Sequence, residues 1–222
     1  MKLLSNELCS SEYGGKAAGL SLLMRARNPL IRVPFGFALK WDEEYDPTVP
    51  LRAQRWAVRS SAIGEDGAEN SFAGQHDTLL NIEPDNVASA VLRVRESTRN
   101  ERVIAYRRRK GMTGEPKMGV VIQAMVSNVI SSAVAFTKDP QEDDDSCVYI
   151  EHTSGLGDKL VGGKVNPLSA SIHRNEAYLN TWLHRLARIA LECEKIIGGH
   201  ADVEAAYDGE DWWVCQARLI TT

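Results

Sequence analysis

Arg59, Ser60 and Ser61 end a short apolar run, and a small polar stretch from Ser71 to Gln75, with Ala73 and Gly74 inside it, precedes the next apolar run at Thr78. So little side-chain bulk lets backbone N–H groups approach an anion, and a planar guanidinium can grip phosphate as a fork. These residues outline a polyphosphate site; an ordinary surface loop between two strands has much the same composition, and chemistry alone leaves both readings open. Lys16 follows Gly14 and Gly15 at the mouth of a helix expected over 17–27, where exposed helix N–H groups and an ammonium suit phosphate. The other reading is a solvated lysine after a glycine turn. It is not a Walker A loop, because the GxxxxGK[ST] spacing is missing and Ala17 takes the place of the metal-binding hydroxyl.

The third set lies near the end of the chain. Residues 202–207 and 212–219 read as a hairpin with Asp208-Gly209 in the turn. Glu204 and Gln216 share one face of it only if the turn holds an odd number of residues, so a Gly-bearing three-residue loop is expected. A carboxylate and an amide oxygen on one face could hold a Mg²⁺ that keeps some waters and takes its other ligands from phosphate oxygens. Arg218 points the same way. A plain edge hairpin is the alternative, at the cost of leaving facing polar groups without a ligand.

The elements that must position these residues alternate between the two periods. After the 17–27 helix, Asn28-Pro29 forces a break and 31–39 reads as a strand. Asp85 can cap a long helix to about residue 110, with Val87, Val91, Val94 and Ile104 inward. The basic run Arg107 to Lys110 then sits at a helix C-terminus, where cations are favoured, and reads as a solvated end and not as a nucleic-acid patch. Residues 118–126 and 131–137 read as an antiparallel pair joined at Ser127-Asn128, 147–152 as a further strand and 176–197 as a helix. Glu142 to Asp145 reads as a solvated acidic turn.

Composition bounds the class. The 222 residues are 43% hydrophobic and 25% charged, enough for a full core, with no apolar run near the roughly 20 residues of a membrane helix. The start, MKLLSNELCSSEYGG, lacks a sustained apolar stretch and does not read as a signal peptide. Cys9, Cys147, Cys193 and Cys215 are scattered, which suits reduced thiols in the cytoplasm. A formal charge of −4 gives no electrostatic reason to expect nucleic acid or an anionic membrane.

The stretch AVRSSAIGEDGAENSFAGQHDTLLNI resembles the nucleotide-binding domain of the phosphoenolpyruvate synthase and pyruvate phosphate dikinase family, an ATP-grasp group. GGKAAGL and VPFGFAL before it, and IQAMV, GLG, DVEAAYDG and QARLIT after it, extend the resemblance over nearly the whole chain. The resemblance implies an α/β (α+β) ATP-grasp fold of two lobes with mainly antiparallel sheets, residues 1–115 and 116–222, binding ATP and Mg²⁺ between them. It assigns Lys16, Arg59, Gly74, Gln75, Thr78 and Arg218 to phosphates, Gln123 to Met125 to adenine at a hinge, and Glu204 with Gln216 to the metal. Lys16, Arg59 and Arg218 would be the catalytic cations. Gln123 to Met125 also fit an ordinary core strand, and GLG at Gly155 to Gly157 has no secure role.

Two departures stand out. The helical segment that the family carries between VPFGFAL and VRSSA is reduced to residues 40–56, and the long insertion after Ile172 shrinks to one helix. None of His76, His152, His173, His184 and His200 sits in the family's Thr-Ser-His carrier motif. The phosphate acceptor is therefore expected to be a small molecule or a histidine on a separate chain. An ATP-grasp ligase acting through an acyl phosphate, and a nucleotide-binding subunit without catalysis, are the alternatives.

Overall fold

The computed structural model describes residues 1–64, 78–109, 111, 113–139, 142, 144–157, 160, 163 and 165–220. They form two units, Met1–Ser21 with Phe35–Met125, and Leu22–Pro34 with Val126–Thr222. The division at Met125 differs from the expected one near Glu115, because strand β5 (Met118–Ala124) lies in the middle of the first unit's sheet.

The first sheet has the order β1-β2-β5-β3-β4, from β1 (Lys2–Leu3), β2 (Gly36–Leu39), β3 (Trp56–Ala62), β4 (Thr78–Ile82) and β5, with every neighbouring pair antiparallel. Its two faces follow from strand alternation. Leu39, Trp56, Val58, Val120 and Ile122 pack on one side against Val87, Val91 and Val94 of helix α3 (Val87–Glu96), whose apolar residues recur at the helical spacing. Residues 40–55 contain no helix or strand, yet Tyr45, Val49, Leu51 and Ala53 pack on the same core. The opposite face carries Arg59, Ser61 and Gln123. A short helix α1 (Ser10–Tyr13) and the longer α2 (Gly15–Arg25) precede β2.

The long helix expected from Asp85 is instead interrupted. Asp85 lies in a 3₁₀ turn, Ser97–Arg99 forms a second one, and α4 (Glu101–Arg109) begins after it. The Ser97 and Thr98 hydroxyls donate to the carbonyls of Val94 and Arg95, the local competition with the helix ladder that such residues offer. The strand expected over 31–39 is likewise cut to β2. Pro34 has no N–H for a ladder, and the residues before it belong to the second unit.

The second sheet has the order β10-β9-β6-β7-β8, again all antiparallel: β6 (Ser131–Phe136), β7 (Cys147–Ser154), β8 (Leu168–His173), β9 (Ala201–Tyr207) and β10 (Trp212–Leu219). Helix α5 (Trp182–Ile197) starts later than the expected 176, where Thr181 caps it by accepting from the His184 N–H, and ends at Gly198 in the left-handed region (φ 85°). It buries Leu186, Ala187, Ile189, Ala190 and Cys193 on Ala133, Ala135, Val148, Ile150, Val203 and Val214. Each fully buried Leu, Ile or Val of this kind contributes roughly 1.5–3 kcal/mol. β5 and β6 do not form the hairpin expected from their sequences. β6 pairs with β7 and β9, so the short Ser127-Asn128 link joins two sheets instead of two partners.

Candidate functional site

In the first unit, Arg59, Thr78 and Gln123 come to one face. Thr78 is directly opposite Arg59, and Gln123 is opposite Ala57, two residues from Arg59 on the same side. Gly36 and Ala38 of β2, Ala57 of β3, and Val121 and Gly119 of β5 share that face, and the two glycines admit Leu4 and the Tyr13 carbonyl close to the sheet. Arg59 Nη1 lies 3.4 Å from Gln123 Oε1, and both residues are buried. The amide nitrogen of Gln123 is buried without a hydrogen-bond partner among the described residues, an arrangement that is costly unless an acceptor meets it.

Lys16 is brought to the same sheet by its glycines. A Cβ on Gly14 (φ 80°) would come 1.9 Å from the Ser61 carbonyl oxygen, and one on Gly119 would come 2.3 Å from the Tyr13 carbonyl oxygen. With no Cβ at either position, the turn before α2 rests directly on β3 and β5, and the Ala17 N–H donates to Ser61 Oγ at 3.1 Å. Lys16 is the second residue of α2, next to that contact. Ser61 therefore serves as a clamp for the start of α2, a role that sequence reasoning missed although both hydroxyls of the motif were noted.

Gln123 and Ala124 close β5, and Met125 is half-buried at the last residue of the first unit. The Ala124 N–H already donates to the Phe35 carbonyl (2.8 Å) and the Met125 N–H to the Arg55 carbonyl (3.0 Å). Adenine contacts at these two residues would thus fall to carbonyl oxygens and the Met125 sulfur. Gly74 and Gln75, with the rest of the Ser71 to Gln75 loop, lie outside the described residues, as do Lys159 and Lys164.

In the second unit, Gln216 is directly opposite Glu204, and Arg218 is opposite Asp202. The means differ from the expectation. Four residues, Asp208 to Asp211, separate the strands, which would put Glu204 and Gln216 on opposite faces. A β-bulge between Val214 and Gln216, with Cys215 as the inserted residue, restores the pairing. Asp208 makes the longer turn by accepting from the N–H groups of Glu210 and Asp211 at 2.9 and 2.8 Å. Arg218 donates from Nε and Nη2 to Asp202 Oδ2, at 2.9 and 2.8 Å. Gly155, of the GLG motif, is tied to β6, its N–H on the Ile130 carbonyl and its carbonyl receiving Ser132 Oγ.

Asp202 was not foreseen, although its place two residues before Glu204 on a strand puts both on one face. It is 8% exposed, and burial above all pushes its carboxyl above the usual range; Arg218 opposes this and Glu204 adds to it. Its Oδ1 is buried without a hydrogen-bond partner among the described residues. The Glu204 carboxylate, the Gln216 amide oxygen and this orphaned oxygen are all hard donors of the kind Mg²⁺ accepts. Among the described residues no group of three His, Cys, Asp or Glu side chains forms a complete cage. Three such oxygens, fewer than the six an octahedral Mg²⁺ takes, would leave places for water and phosphate oxygens.

Residues 41–181, more than half the chain, match the family described as pyruvate phosphate dikinase, AMP/ATP-binding domain. The chain belongs to this family. Relatives include rifampicin phosphotransferase of Streptomyces sviceus, 38% identical over 203 residues, covering 75% of this chain and 23% of the relative. The probable phosphoenolpyruvate synthase of Methanocaldococcus jannaschii is 32% identical over 204 residues, covering 75% and 17%, and that of Staphylothermus marinus is 46% identical over 115 residues, covering 51% and 14%. The chain thus spans 14 to 23% of the length of these relatives. In fold it is similar to D-alanine–D-alanine ligase of Bacillus anthracis complexed with ATP, with TM-score 0.54 and 12% identity over 91% of this chain and 53% of the other. The L-amino acid ligase of Bacillus licheniformis gives TM-score 0.53 and 11% identity over 94% and 43%. The ATP-grasp fold expected from the sequence is therefore present.

Family membership rests on the middle of the chain. Arg59, Thr78, Gln123 and Met125 fall inside the matched residues, whereas Lys16, Glu204, Gln216 and Arg218 fall outside them. The alignment with rifampicin phosphotransferase runs over more positions than three quarters of this chain can supply, in line with the shortened segments noted in the sequence. Among the described residues no helix is long and apolar enough to cross a membrane.

Proposed function

We propose that this chain binds ATP with Mg²⁺ and acts as the nucleotide-handling part of a cytoplasmic phosphotransferase, passing phosphate to a small molecule or to a histidine on a separate chain. The observation that carries the reading is the pairing of Glu204 with Gln216 next to Asp202 and Arg218, in a member of an AMP/ATP-binding domain family. Lys16, Arg59 and Arg218 neutralise the polyphosphate, Thr78 donates its hydroxyl to a phosphate oxygen, and the Gln123 amide gains the acceptor it lacks. Met125 and the carbonyls beside it take the adenine, and Gly74 and Gln75, outside the described residues, are further phosphate contacts in this reading. Glu204 and Gln216, with Asp202 on the same face, would hold Mg²⁺. Bound there, the ion supplies charge neutralisation for phosphate oxygens. Catalysis is then positioning and electrostatic stabilisation of the transferred group, with no covalent intermediate on this chain.

Calorimetry with ATP and Mg²⁺ tests binding, which should raise stability by about 2.7 kcal/mol at one hundred times Kd. Glu204→Gln and Gln216→Ala should lower Mg²⁺-dependent turnover more than nucleotide affinity. Phosphorus NMR with candidate acceptors reads the product. AMP is expected, the two terminal phosphates ending on different molecules. ADP alone would point to a simple kinase or an acyl-phosphate ligase, and absence of any acceptor-dependent loss of ATP to a binding subunit without catalysis.

A further inference from the structure

The second unit has a cleft on the side of its sheet opposite Glu204, Gln216 and Arg218. Trp212 and Val214 face the α5 side with Ala205 and Val203, whereas Glu204 and Gln216 alternate to the other face. Residues 29–32 run beside β10, bridged once at Arg32 and Trp213, and together with the first half of α5 and Asp211 they enclose about 180 Å³. Every lining residue belongs to the second unit.

Three guanidinium groups, Arg32, Arg185 and Arg188, line this cleft with a single carboxylate, Asp211. Asp211 holds two of them, with Oδ2 2.7 Å from Arg32 Nη1 and Oδ1 2.7 Å from Arg185 Nη2. Arg185 is fixed further by donating to the Glu210 carbonyl at 2.8 Å. These side chains remain 53% and 42% exposed, so the shared carboxylate orients the forks without enclosing them. Arg188 is exposed, lies 5.5 Å from the Tyr178 ring centroid and has no ion pair among the described residues. Exposed ion pairs contribute about 0–1 kcal/mol each, which gives a purely structural role little reason to gather a third cation here. Pro29 and Leu30 supply an apolar side, above the buried Ile189 and Trp212. The volume falls below the roughly 300–1,000 Å³ of sites for drug-sized ligands, so the occupant is small.

We propose that this cleft is a second anion site, distinct from the nucleotide-binding residues, for a small ligand carrying a phosphate or carboxylate group beside an apolar part. Oriented guanidinium forks match either oxyanion, and Pro29 and Leu30, the less buried apolar lining, receive the apolar part. Because the cleft is on the far face from Glu204 and Gln216, its ligand is a regulator or accessory ligand and not the phosphate acceptor.

The test is calorimetry on the full chain with inorganic phosphate, phenyl phosphate and acetate as probes, in the presence of Mg²⁺ and a saturating non-hydrolysable ATP analogue. Saturable binding of an oxyanion is expected, with phenyl phosphate tighter than inorganic phosphate and affinity falling as NaCl rises from about 50 to about 500 mM. Phosphate binding without acetate binding would assign a phosphate ligand, and the reverse a carboxylate. Arg188→Ala should weaken binding about tenfold or more, and Arg188→Lys less, since a point charge survives without the fork. Arg188 does not hold Asp211, so Tm and analogue affinity should stay unchanged in both variants. The proposal is overturned if no probe binds saturably, if Arg188→Ala binds like the wild type, or if the probe is displaced by the analogue, which would place it on the nucleotide-binding residues.

Discussion

The two sheets reach a polar face by different routes. In the first, the irregularity lies away from the polar residues: the β3–β4 register shifts between Trp56 and Val58, while the pairing at Arg59 is regular, so Arg59, Thr78 and Gln123 fall on one side. The second has to break alternation. An even turn alone would turn Gln216 and Arg218 toward the α5 core, and only the extra residue at Cys215 brings them beside Glu204 and Asp202. The shared face thus rests on regular pairing at Arg59 in one sheet and on an inserted residue within the site itself in the other.

Deleting Cys215 gives the sharpest break in this comparison and the largest expected effect. Without the bulge, Gln216 and Arg218 must either enter the apolar face or pull the strand out of register, so Mg²⁺-dependent turnover should vanish and cooperative unfolding should be lost or strongly weakened. Cys215→Ala keeps the inserted residue and should behave like the wild type. A deletion variant with wild-type turnover would show that the bulge does not set the face.

On the other sheet the corresponding break is Gly14→Ala. A Cβ there meets the Ser61 carbonyl, and φ 80° is strained for any residue but glycine. A loss of about 2–4 kcal/mol in denaturant unfolding is expected, together with weaker ATP binding, because Lys16 is carried by the same turn.

The smallest effect concerns Asp202. Its folded carboxyl titrates above the usual range, so its contribution to stability is fully present below the unfolded pKa and is lost as pH rises through the folded one. The stability of the wild type relative to Asp202→Asn should therefore fall as pH is raised from the ordinary carboxylate range. Glu192, Glu194 and Asp208 shift the other way and are common to both proteins, so the difference between the two pH profiles isolates Asp202. A difference that is flat or rises with pH would show that Asp202 is not held protonation-prone by burial.

Much of this was legible in the sequence for a physical reason. Period-two runs such as WAVRSSA and ADVEAAY, the helical spacing of Val87, Val91 and Val94, and the glycines before Lys16 are local signals, and ordered motifs along the chain carried the family and its fold. Partners and register are not local. Residues 118–124 and 131–136 are both good strands next to each other in sequence, but which strands they join is decided by the cores they cover, and they joined different sheets. Hydroxyls at Ser97 and Thr98 that break a helix, and Pro34 that shortens a strand, act through short-range competition that the apolar pattern conceals. The bulge at Cys215 has no residue signature, because it exists only as a mismatch between two paired strands. Tertiary structure alone therefore decided that Gln216 and Arg218 join Asp202 and Glu204 on one face, since a one-residue difference in register exchanges the faces of a strand and only burial of the correct one selects between them.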